Sequence, residues 1–370
     1  MDWNLNLSEM FGEATELVRT GRLNEATQAI QQMLVGAVPG AAQHPPATGH
    51  VQDPALLARN APHAAPEPPG SFQRVAFMHG GTSHHYQLYV PPGAAIGKPM
   101  PLVLMLHGCM QSPDDFAVGT GMNPAAAAAH ALVVYPAQQR SANPNACWNW
   151  FDPENQQRGT GEPALLVEML HDVAARHPVD SEQIYVAGMS AGGAMAAVLG
   201  REYPDMFAAV GVHSGLQAGA AHNVMAALSA MSTGAKPIAH TKATSSPTET
   251  PLPLIVFHGD ADSTVNSKNG EQLVEATIKA LVGGGIAVQH EMLDGKSTAG
   301  QRFTRTVYRH ADTPVRDTTT PVVAEHWVLH GAGHAWSGGH APGSLTDPRG
   351  ISATQEILRF FLEHPKGRAH

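Results

Sequence analysis

The sequence predicts an α/β fold, a mostly parallel central sheet covered by helices, with a small N-terminal helical hairpin. Three observations predict it. From residue 71 onward, short β-branched or apolar runs alternate with segments of helical composition. One run, Leu102-Val103-Leu104-Met105-Leu106, is continuously apolar, as a strand buried on both faces must be. Finally, Gly188-Met189-Ser190-Ala191-Gly192 joins the strand-like Gln183-Ile184-Tyr185-Val186 to the helix-like Ala194–Leu199. Small residues are required there, because glycines let a strand and a helix approach closely around a strained serine.

In chain order, residues 8–35 carry apolar residues at helical spacing: Met10, Phe11, Ala14, Leu17 and Val18, then Leu23, Ala26, Ile30, Met33 and Leu34. Gly21 interrupts the pattern, so residues 1–36 are read as a helical hairpin, with Ser8 available to cap its first helix. This pair is expected to dock on the main domain or on a partner. Residues 37–70 are rich in Pro, Ala, Gly and His, which cannot bury a core and read as a linker. The main domain is placed at 71–366. It opens with two strands, Phe72–Phe77 and Tyr86–Val90, forming an antiparallel hairpin around Gly80-Gly81. The buried Leu102–Leu106 strand follows, then a helix at Ala125–Ala129 and a strand at Ala131–Pro136. A helix through Ala164–Leu170 leads to the serine turn. Phe207–Val212 and Leu254–Phe257 continue the alternation, and residues 217–251 between them read as an insertion or lid at the sheet's C-terminal edge. Phe303–Tyr308 and Glu325–Leu329 are two further strands, and Ala353–Leu362 is the last helix.

Composition narrows the chemistry. A hydrophobic content of 43% suffices for a large core, and a net charge of −9 offers no basic face to nucleic acid. No run approaches the ~18 apolar residues of a membrane span. The first residues lack a basic then apolar leader, so a cytoplasmic location is expected. The 22 histidines include no His-Glu-x-x-His pattern, and no metal or other cofactor is expected. The two cysteines, Cys109 and Cys147, allow one bridge near the strand ends or two free thiols.

A serine hydroxyl becomes a nucleophile when a base takes its proton, and the base needs a partner to hold its tautomer. Ser190 in its strand–turn–helix setting reads as a nucleophile elbow, after which an acid and then a histidine should follow. The strand at Leu254 ends in His258-Gly259-Asp260-Ala261-Asp262, where two aspartates compete. Asp262 is preferred, because the loop needs a few residues to curl towards the histidine, and Asp260 is the fallback. His334, beyond a strand and between glycine-rich turns, is the expected base, whereas His330 is read as still within the strand and packed or surface. The backbone N–H groups of Ala191 and Cys109, the latter from the turn His107-Gly108-Cys109-Met110, are the expected oxyanion donors. Trp148 and Trp150 in Cys147-Trp148-Asn149-Trp150-Phe151 read either as a core cluster or as pocket wall. With Trp336 and His107 they form the expected substrate-binding set.

Taken together, these stretches resemble the esterase/polyhydroxybutyrate depolymerase family of α/β-hydrolases, whose looser relatives are feruloyl and acetylxylan esterases. The resemblance rests on Tyr86–Pro91, Leu106-His107-Gly108-Cys109, Tyr135-Pro136, Cys147–Phe151, Gly188–Gly193, His258–Asp262 and Gly333–Gly339, and covers about residues 71–365. It implies a Ser190–His334–Asp262 triad with the Cys109 and Ala191 amides as oxyanion hole. It also implies hydrolysis of carboxylic esters, 3-hydroxybutyrate oligomers or polymer first and aryl or feruloyl esters second. A serine peptidase and a binding protein on an inactive hydrolase fold are the rivals from other classes.

Overall fold

The computed structural model describes residues 70–94, 98–235, 250–311 and 321–367. The expected helical hairpin at 1–36, nearly all of the linker and residues 236–249 of the expected insertion lie outside the described residues. The frame of the described residues is a ten-stranded sheet with the order β1-β2-β4-β3-β5-β6-β7-β10-β9-β8. Its strands are β1 Ser71–His79, β2 Thr82–Val90, β3 Met100–Leu106, β4 Leu132–Pro136 and β5 Val179–Met189. They continue with β6 Ala209–His213, β7 Leu254–Gly259, β8 Val288–Lys296, β9 Arg302–His310 and β10 Val322–Leu329. The neighbours from β4 to β10 run parallel. The outer hairpins β1–β2 and β8–β9 pair antiparallel with that parallel core.

Alternation along the parallel strands builds two cores. Leu102, Leu104 and Leu106 of β3, Val186 of β5 and Val256 of β7 face one layer of helices. Val103 and Met105 of β3, Ala187 of β5 and Phe257 of β7 face the other. The first layer contains α3 (Gly161–Arg176), α4 (Ala191–Glu202) and α6 (Lys268–Gly283). The second contains α1 (Pro113–Thr120), α2 (Met122–Ala129) and α7 (Ala353–Glu363). Burial on both faces is why these strands read as unbroken apolar runs. Helix α7 shows the opposite pattern. Ile357, Leu358, Phe360 and Phe361 are buried while Glu356 and Arg359 pair on the outer side, the periodicity of a helix with one apolar face.

Helix α5 (Val224–Thr233) lies in the described part of the 217–251 stretch, capped by the Asn223 side chain, which accepts from the Ala226 N–H. It packs on the head of α6, where Asn266 N–H donates to the Met231 carbonyl at 2.7 Å. Strand β8 and helices α1 and α6 carry no expectation above. The sequence of β8, Val-Gln-His-Glu-Met-Leu-Asp-Gly-Lys, has no apolar alternation because most of this edge strand faces solvent.

The parallel register lines up the carboxyl ends of the strands. Met189 pairs with His213, His213 with Phe257, and Leu329 with Gly259. Ser190, Asp260 and His330 therefore all leave the sheet at one rim, where open parallel sheets place their ligands.

Candidate active site

Ser190 stands at the sharp turn between β5 and α4 with φ 57° and ψ −122°, a backbone conformation costly for any residue but glycine. Its N–H donates to the His213 carbonyl at 2.9 Å, and its own carbonyl accepts the Ala194 N–H that begins the helix. The residues two positions to either side must be glycine. A Cβ on Gly188 would lie 2.3 Å from the Gly192 carbonyl oxygen, and one on Gly192 only 2.1 Å from that of Leu106. The ends of β3, β5 and α4 thus meet with no side chain between them.

Asp262 and His334 come together. Asp262 Oδ2 lies 2.7 Å from His334 Nδ1, while Oδ1 accepts the N–H groups of Thr264 and Val265 at 2.9 and 2.8 Å. Burial alone would raise the Asp262 carboxyl. Hydrogen bonding and charge from His258 and His334 outweigh it and hold the group well below the usual carboxylate range. The ionised Asp262 can only accept, so Nδ1 of His334 is the donor and Nε2 is directed away from that bond. The loop carrying His334 is anchored beside the serine through His213. Trp336 stacks on the His213 ring at 5.0 Å, and the Ser337 N–H donates to His213 Nε2 at 3.1 Å. His213 is neutral. It is fully buried, its Nε2 is already an acceptor, and burial followed by the fields of His258 and His334 lowers it to about 3.

The turn after β3 is tied from several sides. Gly108 N–H donates to Gln111 Oε1 at 2.9 Å, and the Gly108 carbonyl lies 2.8 Å from His107 Nδ1. The Met110 N–H donates to the Asn145 carbonyl at 2.7 Å, and Cys109 is disulfide-bonded to Cys147. A Cβ on Gly108 would touch Ser190 Cβ at 3.5 Å, so this turn lies directly against the serine. Among the described residues, the Cys109 amide has no acceptor. Ala191 is the first residue of α4, and its N–H has no partner within the helix.

Several expectations are corrected. His330 lies outside β10, which ends at Leu329, and its Nδ1 meets Asp260 Oδ2 at 2.8 Å. Its Nε2 meets Thr304 Oγ1 at 2.9 Å, so Asp260 and His330 make a separate, half-exposed pair. The proposed pocket wall is also different. Trp148, Trp150, Trp336 and His107 are all buried, and the polar side-chain atoms of Trp148, Trp336 and His107 are spent on internal bonds. Trp148 Nε1 donates to the His107 carbonyl at 3.1 Å, and Trp336 Nε1 to Thr354 Oγ1 at 3.0 Å. The rings hold the site's turns from behind.

Sequence reasoning passed over His213, His258, Gln111 and Glu162. His258 is fully buried, donates through Nε2 to the Val265 carbonyl at 2.8 Å, and sits 3.5 Å from Asp262 Oδ2. Its place at the end of a strand, two residues before the competing aspartates, was the available signal. Glu162 carried none, since an acid in a first helical turn reads as an ordinary partner of the helix dipole.

The sequence model of the family described as esterase PHB depolymerase matches residues 84–288. Poly(3-hydroxyalkanoate) depolymerase C of Paucimonas lemoignei is 34% identical over 193 residues, which are 50% of this chain and 46% of that protein. Poly(3-hydroxybutyrate) depolymerase of Ralstonia pickettii is 32% identical over 168 residues, 41% of this chain and 34% of that one. Feruloyl esterase B of Thermothelomyces thermophilus is 30% identical over 143 residues, 38% of this chain and 48% of that one. The matches therefore span less than half the length of these curated relatives. Among solved structures, the acetyl xylan esterase from Aspergillus awamori superposes with a TM-score of 0.58 at 17% identity. It covers 80% of this chain and 100% of its own, a likeness of fold.

Proposed function

The chain belongs to the esterase PHB depolymerase family, and from that premise we propose that it is a serine esterase working through Ser190, His334 and Asp262. The observation that carries the reading is the strained Ser190 turn at the same sheet rim as the 2.7 Å His334–Asp262 bond. Ser190 Oγ attacks the ester carbonyl carbon as its proton passes to His334 Nε2. Negative charge gathers on the former carbonyl oxygen, where the Cys109 and Ala191 N–H groups receive it. The C–O bond to the alcohol breaks, and His334 gives its proton to the leaving oxygen. Water then attacks the acyl-enzyme, losing a proton to His334, and Ser190 recovers a proton as the acid departs. Asp262 holds the imidazole in the required tautomer and balances its charge when protonated.

The preferred substrates are short hydroxyalkanoate esters, 3-hydroxybutyrate oligomers or polymer, because two of the relatives carry depolymerase names. Aryl or acetyl esters of cell-wall polysaccharides are the second reading, supported by the relative named feruloyl esterase B. The Cys109–Cys147 bridge supports a working place in an oxidising compartment rather than the cytoplasm. The test is a panel run on the wild type and Ser190→Ala: p-nitrophenyl acetate to octanoate, 3-hydroxybutyrate oligomers, polymer film and methyl ferulate. Highest kcat/KM on the oligomers is expected. Preference for ferulate would replace the substrate class, and equal inactivity of both proteins on every ester would remove the esterase reading.

A further inference from the structure

Behind the turn that bears Cys109 lies a buried acid that the reaction itself does not use. Glu162, in the first turn of α3, accepts three hydrogen bonds. Oε1 receives Gln138 Nε2 at 2.5 Å and Asn149 Nδ2 at 2.7 Å, and Oε2 receives the Asn149 N–H at 2.8 Å. Both partners lead to the turn. The Gln138 amide also donates to the Cys147 carbonyl at 3.0 Å, and Cys147 is the disulfide partner of Cys109. The Gln138 N–H reaches His107 Nε2 at 3.3 Å. With Nε2 accepting, His107 donates through Nδ1 to the Gly108 carbonyl, which fixes the peptide plane that carries the Cys109 N–H. Asn149 begins the second route, since it lies two residues from Cys147 and beside Trp148, whose Nε1 holds the His107 carbonyl.

We propose that Glu162 is a positioning residue of the oxyanion turn, its carboxylate holding Gln138 and Asn149 so that the Cys109 amide stays aimed at the reacting oxygen. The inference rests on the reading of Ser190 as nucleophile and Cys109 as oxyanion donor. Every group bonded to the Glu162 carboxyl is a donor, so a proton on that carboxyl would face donors with no acceptor. The cage closes on the ionised form only. Burial opposes ionisation and, despite the three bonds, raises the group to about 7. Asp152, before the 3-10 turn Pro153–Gln156, adds a negative field in the same direction. Gln138, Asn149 and Asn155, the side chains bonded to Glu162, are neutral, and burial holds His107 neutral by lowering it to about 4.

Wild-type kcat is therefore expected to fall as the pH drops through about 7, where the Glu162 carboxylate takes up its proton. The sign separates this loss from unfolding. A carboxyl raised in the folded state contributes more stability as it protonates, so Tm does not fall through the same pH range on account of Glu162.

The test measures kcat, KM and their pH profiles for the wild type, Glu162→Gln and Gln138→Met, with hydrogen exchange of peptides spanning 107–111. Glu162→Gln is expected to lower kcat about 10-fold or more with KM within about twofold, since small misplacement of a transition-state donor acts on kcat. It should also lose the Glu162-dependent fall of kcat near pH 7 and speed exchange at 107–111. Gln138→Met, which keeps the carboxylate and cuts one route, should shift kcat and exchange the same way by less, and decides the matter if Glu162→Gln does not fold. Unchanged kcat and unchanged exchange in the variants, or a change in KM alone, overturns the proposal. If the wild type and Ser190→Ala are equally inactive, the esterase reading fails, while exchange at 107–111 still decides whether Glu162 holds the turn.

Discussion

Asp260 and Asp262 stand two residues apart on one loop, yet each takes a different histidine. Asp262 is buried, receives two backbone N–H groups and meets His334, whereas Asp260 is exposed and meets His330 and the Gly331 N–H. A carboxylate that fixes a general base must be shielded and held by its own donors, which Asp262 alone satisfies. Asp262→Asn is therefore expected to cut kcat about 10³-fold or more, in line with loss of the correct tautomer. Asp260→Asn should leave kcat within about threefold, because exposed ion pairs contribute little. Equal losses from the two substitutions in steady-state assays would contradict this division of labour. At this scale the serine, the histidine and the preferred aspartate were legible, because each sits at a strand end beside small residues. Side chains that hold the turns from behind were not. Gln111, Gln138 and Glu162 act through partners 3, 24 and 233 positions away in sequence, and no spacing rule announces such a partner.

The elements that place the site are the close junctions, and among the described glycines Gly192 makes the closest approach to another backbone. An added methyl group would overlap the Leu106 carbonyl at 2.1 Å and that of His107 at 2.6 Å, both backbone atoms that cannot turn aside. Gly192→Ala is expected to destabilise the fold by about 3 kcal/mol or more and to displace the serine turn. Denaturant unfolding followed with the activity of the remaining folded protein checks both effects, and a variant of wild-type stability and kcat would refute the junction. The parallel strands could be read because burial on both faces writes them as apolar runs. The edge strand β8, with Met292 and Leu293 exposed, writes no such run, and α6 is partly masked by its polar outer face. The aromatic stretch at 147–151 is ambiguous for another reason. Its composition suits a pocket wall or a core equally, and only the bonds of Trp148 and the packing of Trp150 make it core.

At the scale of the whole domain, a few carboxylates are buried among the described residues, and that of Glu325 is held by two guanidinium groups. Its fully buried carboxylate accepts from Arg305 at 3.1 and 2.6 Å, from Arg359 at 2.9 Å and from Trp327 Nε1 at 3.0 Å. Burial alone would raise this carboxyl, but the two guanidinium groups and the indole N–H hold it below the usual glutamate range. A depressed carboxyl lends stability above its unfolded value and loses it as the pH falls through the folded one. Glu325→Gln should thus cost about 2–3 kcal/mol near neutrality, reduced from the usual buried-pair loss because both arginines can rehydrate. The cost should shrink as the pH falls, and thermal unfolding between pH 7 and 3 measures it. A constant cost would contradict the linkage. The proposed reaction turns on one serine, set by this frame, that forms the covalent intermediate. Labelling with a p-nitrophenyl alkylphosphonate is the decisive measurement, since attack forms a stable Oγ–P bond and expels p-nitrophenolate. The wild type should release about one equivalent per chain, with the adduct on the peptide containing Ser190, and Ser190→Ala should release none. An adduct on another residue, or equal release from Ser190→Ala, would contradict the account.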